Sequence, residues 1–196
     1  MYTEVRTSGG ITLIPMETRH LSKRRIHLRG KIDMESACAF LDQFLLLQDE
    51  SPTDPIDILI SSQGGEIQAG LMIYDLIRTS GVPVRTYCMG TAYSMAAVLF
   101  AAGTDGRFML PHSKLMLHEP LINQGIGGNV SSFRAVSEEL ISVRDMLNGI
   151  LSELTGKTAK EIEEASSYDH YFTAQESIDF GLADRIVGTE AFTNCP

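Results

Sequence analysis

Cysteine is scarce in this chain of 196 residues: Cys38, Cys88 and Cys195 are odd in number, far apart and form no CxxC pair. That usage excludes a zinc ribbon and a disulfide framework and fits reduced thiols in a cytosol. Long apolar runs are also lacking. The longest, Met95 to Ala102, is far short of the ~20 residues a membrane span needs. Met1 to Pro15 holds Glu4, Arg6 and Gly9-Gly10 but no apolar stretch of signal-peptide length. The expectation is a soluble, cytoplasmic protein. Clustered cations are missing as well: no basic run exceeds Lys23-Arg24-Arg25, the net charge is −9 and the pI lies near 5.0. Nucleic-acid affinity is largely counterion release driven by such clusters, so a nucleic-acid partner is excluded, and an anionic membrane with it.

What is present suffices for one folded domain. A hydrophobic fraction of 43% and a charged fraction of 21% are ordinary for a globular protein, and the length matches a single core. Residues 1–24 are polar and broken by glycines and Pro15, with one apolar piece at Ile11 to Ile14. They predict a mobile arm ending in a strand. A strand at Arg25 to Leu28 precedes a helix from Met34 to about Leu47, whose apolar residues recur at three and four, with Asp33 as N-cap. Ile56 to Ile60 predicts a strand, Ser61 to Gly65 a turn, Ile67 to Arg78 a helix and Val82 to Met89 a strand that ends at Gly90. A small-residue helix follows, from Ala92 to Ala102. Strands fit Arg107 to Leu110 and Lys114 to His118. Strand–turn–helix repeats of this kind give parallel strands with right-handed crossovers. After glycine-rich residues 121–129, an amphipathic helix spans about Val130 to Leu154. It is long enough to project and pack against another subunit. Helices at 158–167 and 174–179 and a strand at Arg185 to Val187 complete an α/β domain.

Four segments could carry chemistry. In Gly90-Thr-Ala-Tyr-Ser94-Met-Ala-Ala a serine enters a helix where unbonded N–H groups and the positive end of the dipole lie beside its hydroxyl. The bland alternative is a serine that caps the helix. Ser61-Ser-Gln-Gly64-Gly65-Glu places adjacent glycines after a strand, where the backbone can approach a ligand and offer an N–H to an oxyanion; it could equally be a plain turn. Lys114-Leu-Met-Leu-His118-Glu-Pro120 ends a strand with a histidine at the sheet's carboxyl edge, where α/β sheets place ligands. An imidazole there can act as a general base near neutrality, or sit half-buried on a backbone group. Tyr168-Asp169-His170-Tyr-Phe172 offers a loop carboxylate able to orient an imidazole, or a turn aspartate. His112, His118 and Glu119 match no metal spacing, so no metal and no cofactor are expected. Gly156-Lys157-Thr158 lacks the upstream glycine of a phosphate loop, and no G-x-S-x-G elbow surrounds Ser94.

Together and in this order, the four segments resemble the Clp protease proteolytic subunit family over about residues 25–188. SSQGGEIQAGLMIYDLI is similar to the family's glycine-turn segment, YCMGTAYSMAAVLFAAG to its nucleophile segment, RFMLPHSKLMLHEPL to its histidine segment and SYDHYFTAQESIDFGLADRIV to its aspartate segment. The resemblance implies a crotonase-like α/β fold of repeated β-β-α units. Residues 1–24 would be an axial arm and 25–196 a single peptidase domain with a protruding handle at 121–154. It implies a serine endopeptidase with Ser94 as nucleophile, His118 as base then acid, Asp169 as orienting acid, and the Gly65 and Met95 amides as oxyanion hole. It further implies self-association into heptameric rings stacked as a tetradecamer, and unfolded polypeptide substrates fed by an AAA+ unfoldase.

This chain departs from the family pattern at several positions. Gln63 stands for the usual proline and is expected to loosen the glycine turn. Ala96 stands for glycine. Tyr93 stands for alanine and is expected to narrow the first specificity pocket. Asp57 and Leu59 stand where tyrosines commonly line the unfoldase-docking pocket. These departures suggest a divergent paralogue that works in a mixed ring or docks its unfoldase mainly through a partner's face. Two other classes stay open on the residues: a weakly active regulatory or structural subunit of such a ring, and a crotonase-type acyl-CoA enzyme on the same fold.

Overall fold

The protein is described from a computed structural model that covers residues 1–7, 9–122 and 127–192. Three apolar strands form its centre: β3 (Arg25–Ile32), β4 (Ile56–Gly65) and β5 (Val84–Tyr93) lie parallel and adjacent. Ile56, Ile58, Leu59 and Ile60 are all buried, as expected of a parallel strand covered on both faces, where apolar residues run on without alternation. The exception in that run is Asp57. Its register partners are Arg25 on β3 and Arg85 on β5, so a carboxylate stands between two guanidinium groups, 3.7 Å and 3.0 Å away. Asp57 is therefore ion-paired inside the sheet rather than presented to a hydrophobic partner, and Leu59 is buried beside it.

Past β5 the sheet forks. Thr86 to Cys88 pair with β6 (Arg107–Met109), which pairs in turn with β9 (Arg185–Ile186). Thr91 to Tyr93 pair with β7 (Lys114–Leu117). Gly90, at φ +103°, sits between the two halves. Its N–H donates to the Ser113 hydroxyl at 2.9 Å, and that hydroxyl donates to the Cys88 carbonyl at 2.8 Å. Gly90 thus bends β5 instead of ending it, and the strand runs on to Tyr93. The segment read as a turn, Ser61 to Gly65, likewise stays in the sheet as the end of β4, because β3 extends to Ile32 beside it. A strand absent from the sequence reading, β8 (His170–Thr173), lies antiparallel on β7.

Helices cover the sheet. The helix α2 (Met34–Glu50) opens with a reciprocal cap between Asp33 and Ser36, and α3 (Ile67–Thr79) follows β4. All seven residues of α4 (Met95–Ala101) are buried, which suits a helix apolar on every side. The long helix α5 (Val130–Thr155) is capped by Asn129 and ends at Gly156 in the left-handed region. Its N-terminal half exposes Val130, Phe133 and Ile141, while Asn148 and Leu151 are buried near the body. Of the handle segment expected at 121–154, residues 123–126 lie outside the described residues, as does Cys195. Helices α6 (Ala159–Ser166) and α7 (Ala174–Phe180) start from the capping threonines Thr158 and Thr173. Ahead of β3, where one strand was expected, β1 (Tyr2–Thr7) and β2 (Gly10–Pro15) form an antiparallel hairpin and α1 (Met16–Leu21) joins it to the sheet. No helix among the described residues is long and apolar enough to cross a membrane.

Candidate active site

Ser94 joins β5 to α4. Its backbone lies at φ +56° and ψ −128°, a region that a residue with a Cβ occupies at a cost of about 1–3 kcal/mol and that clusters at functional sites. The surroundings hold it there: the Ser94 N–H donates to the Met116 carbonyl of β7 at 2.8 Å, and the Ser94 carbonyl accepts from Ala97 at 2.9 Å. Although Ser94 occupies the N-cap position, its hydroxyl makes no capping hydrogen bond. Helix capping therefore does not explain this serine. The sharp strand-to-helix turn of a nucleophile elbow is reached here without the G-x-S-x-G pattern, which is why the sequence did not signal it.

The glycine turn lies against this junction. Gly64 has φ +90°, and a Cβ on it would stand 2.6 Å from the Tyr93 carbonyl oxygen, 2.8 Å from the Ser94 Cβ and 3.2 Å from the Met95 nitrogen. A Cβ on Gly65 would overlap the Ile32 backbone. Only glycines fit at both places. Gly64 donates to the Ser62 hydroxyl at 3.0 Å, which donates to the Gly30 carbonyl at 2.6 Å. The Gln63 amide reaches the Thr91 hydroxyl at 3.3 Å, so the turn expected to be loosened by loss of proline is tied to β5 instead. Met95 opens α4, and its N–H has no acceptor within the helix. Its side chain fills the space left by Gly70 of α3, where a Cβ would collide with it.

A cleft of about 810 Å³ is lined by Gly64, Gly65, Ser94, Met95 and His118, together with Val98, Leu147, Asn148 and Leu151. Ser94, His118, Gly65 and Met95 are thus brought to one cavity. His118 follows β7 directly and is half-buried. Its Nδ1 pairs with the Glu119 carbonyl at 2.5 Å. Asp169 is not brought into that cavity. It is exposed, immediately before β8. The β7–β8 register pairs Leu117 with His170, and one further step along this antiparallel ladder sets His118 opposite Asp169. Among the described residues the Asp169 carboxylate has no hydrogen-bond partner. Hydroxyl, imidazole and amides share the cleft, and the carboxylate stands beside the imidazole's strand without bonding the ring.

Tyr93 does not line this cleft. Its ring meets Tyr171 of β8 edge to face, with centroids 5.5 Å apart, in the row Tyr93–Met116–Tyr171 across β5, β7 and β8. It therefore links the nucleophile's strand to the strand that follows Asp169 and stands outside the lining of the cleft it was expected to narrow. Among the described residues no group of three or more acidic, histidine or cysteine side chains is placed to hold a metal. Asn148, a polar residue in the apolar wall, gave no signal in the sequence, because a lone asparagine on a helical stripe reads as a boundary residue.

The chain is similar to known proteins over most of its length. The family model described as Clp protease matches residues 10–190. The chain is 38% identical over 189 residues to the ATP-dependent Clp protease proteolytic subunit 2 of Chlamydia trachomatis serovar D, covering 96% of this chain and 92% of that protein. It is 39% identical over 194 residues to the subunit 2 of Chlamydia pneumoniae, covering 98% and 95%. With the subunit 2 of Corynebacterium glutamicum it shares 39% over 170 residues, 86% and 84% of the two chains.

Proposed function

This chain belongs to the Clp protease family, and on that premise we propose that it hydrolyses peptide bonds through Ser94, His118 and Asp169. The Ser94 oxygen attacks the scissile carbonyl while His118 takes the hydroxyl proton. The resulting oxyanion lies between the Gly65 and Met95 amides. His118 then returns the proton to the leaving amine, and water releases the acyl group by the same steps in reverse order. The observation that carries this reading is the junction itself: a strained, uncapped serine at a helix start, in one cleft with a histidine and a glycine turn. Asp169 enters by a change of partner, the His118 Nδ1 leaving the Glu119 carbonyl for the carboxylate opposite it.

The family and the names of the relatives support a subunit of an ATP-dependent Clp protease. In our reading it assembles as heptameric rings stacked into a tetradecamer through the 121–154 handle. The 1–24 arm lines the axial entry, an AAA+ unfoldase delivers unfolded chains, and the compartment is the cytoplasm. One observation favours a second reading, a weakly active regulatory or structural paralogue in a mixed ring: the His118 Nδ1 is committed to a backbone carbonyl. An acyl-CoA role on this fold has no such support. Hydrolysis of a short fluorogenic peptide by the purified protein, abolished in Ser94→Ala with the native mass unchanged, is the expected result. A full-sized assembly with no hydrolysis alone, and activity only with a paralogue, would favour the second reading.

A further inference from the structure

A knot of charge outside the cleft is used by neither the proposed triad nor the proposed oxyanion donors. Arg144 of α5 does not line the cavity, yet carboxylates from three stretches of chain meet its guanidinium. Its Nε and Nη2 donate to Asp145 at 3.0 and 2.9 Å, and its Nη1 lies 3.9 Å from both Glu119 and Glu163. The Asp145 hydrogen bond first, then the charges of Asp145, Glu163 and Glu119, raise the guanidinium further above its ordinary range. Two of these partners lead straight to the proposed chemistry. Glu119 follows His118, and its carbonyl is the group that the His118 Nδ1 contacts. Glu163 stands on α6, and the Ser167 hydroxyl, two residues before Asp169, donates to the Glu163 carbonyl at 2.6 Å. One guanidinium thus joins the segment that carries the imidazole to the segment that carries the carboxylate.

We propose that Arg144 is a positioning residue for the general base. By holding Glu119 and Glu163 together it fixes the spacing between His118 and Asp169, so that the His118 Nδ1 passes from the Glu119 carbonyl to the Asp169 carboxylate. Glu119 and Glu163 approach the same nitrogen, so their carboxylates are close neighbours. Without the cation they repel one another, and that repulsion pushes apart the two segments they belong to. Asp145, next to Arg144 in sequence, grips the other side of the planar guanidinium and leaves Nη1 turned toward the two glutamates. The Arg144, Glu119 and Glu163 side chains are 31%, 40% and 52% exposed, so these pairs add little to the stability of the fold. Their effect is on rate. A catalytic group displaced by about 1 Å loses on the order of 100-fold, and a smaller displacement loses less.

The proposal rests on the hydrolase reading above, so its test has one arm that needs no hydrolysis. In the assembled protein, Arg144→Gln should lose about tenfold in kcat on a short fluorogenic peptide, with KM and native mass nearly unchanged. Arg144→Lys, which keeps the charge, should recover most of that loss. Glu119→Gln and Glu163→Gln should each slow hydrolysis, and the double variant should be little slower than either, because a clamp fails once one arm is cut. Additive losses in the two glutamate variants overturn the proposal. So does an Arg144→Gln variant with kcat within twofold of the parent, or a loss that Arg144→Lys does not reduce. If Arg144→Gln fails to assemble, the glutamate variants, which retain the cation, decide. The other arm follows deuterium exchange at the C2 position of the His118 ring by mass spectrometry, in Ser94→Ala with and without Arg144→Gln. The rate should change at least twofold at His118 and stay constant at His112. Equal rates at His118 overturn the proposal whether or not the parent cleaves peptides, whereas a changed rate beside an inactive parent sustains the clamp and sinks the hydrolase reading.

Discussion

Substituting Gly64 by alanine tests whether the glycine turn does more than connect β4 to α3. Gly64 has φ +90°, and the added methyl would meet the Tyr93 oxygen at 2.6 Å and the Ser94 Cβ at 2.8 Å. The left-handed backbone costs a residue with a Cβ about 1–2 kcal/mol. Carbon–carbon contacts are optimal near 3.5–4.0 Å, so the turn must retreat from Ser94 by on the order of 0.5–1 Å. Catalytic groups need placement to within about 0.5 Å, and a misplacement of about 1 Å costs on the order of 100-fold. Loss of a single oxyanion donor costs about 100- to 1,000-fold in kcat. Gly64→Ala should therefore lose about 100-fold in kcat on a short peptide. The folding penalty, about 2 kcal/mol with contact strain added, should lower Tm by only about 4–8 °C. Both are read on one preparation, by initial rates at saturating peptide and by calorimetric melting. A variant with kcat within twofold of the parent, whatever its Tm, would refute the idea that this turn carries an oxyanion donor.

Three further outcomes follow from the same geometry. Asp169→Asn should lower kcat by about 10⁴-fold with native mass unchanged; retention of near-parental kcat would show that the acid is elsewhere. Asp57→Ala strips the shared partner from Arg25 and Arg85 inside the sheet and should destabilise the fold by about 3–5 kcal/mol in urea melts, with equal stability counting against that pairing. Burial, then Arg29, His20 and Arg25, hold the His27 imidazole down to about 4 from its ordinary 6.5. The unfolded chain then takes up the proton first, so stability is fully present above pH 6.5 and declines as pH falls toward 4. Urea midpoints of His27→Gln should lose part of that slope between pH 6.5 and 4, and curves parallel to the parent would contradict the assignment.

The buried strands and long helices were legible because their signals are local. The apolar run of β4 and the capped stripe of α2 state their own conformation. The errors came where distant residues decide. Gly90 reads as a strand end, yet Ser113, 23 residues on, accepts its N–H and keeps β5 in the sheet. Ser61 to Gly65 reads as a turn, but β3 beside it supplies a ladder. Asp57 looked like a flaw in a docking surface, whereas its partners stand at the starts of two neighbouring strands, in register and invisible to a linear reading. At the site, the serine, histidine and glycines announced themselves by position at strand ends. The strained backbone of Ser94 and the orientation of the His118 ring did not, since both depend on β7 and on the chain beyond it.

The most direct test is reaction of the purified assembly with a fluorophosphonate, followed by peptide mapping of the adduct. A strained, uncapped Ser94 hydroxyl beside His118 should give one adduct per chain on the peptide that holds Ser94, and none in Ser94→Ala. Absence of an adduct under conditions where a control serine peptidase is fully modified, or an adduct on another residue, would contradict the account.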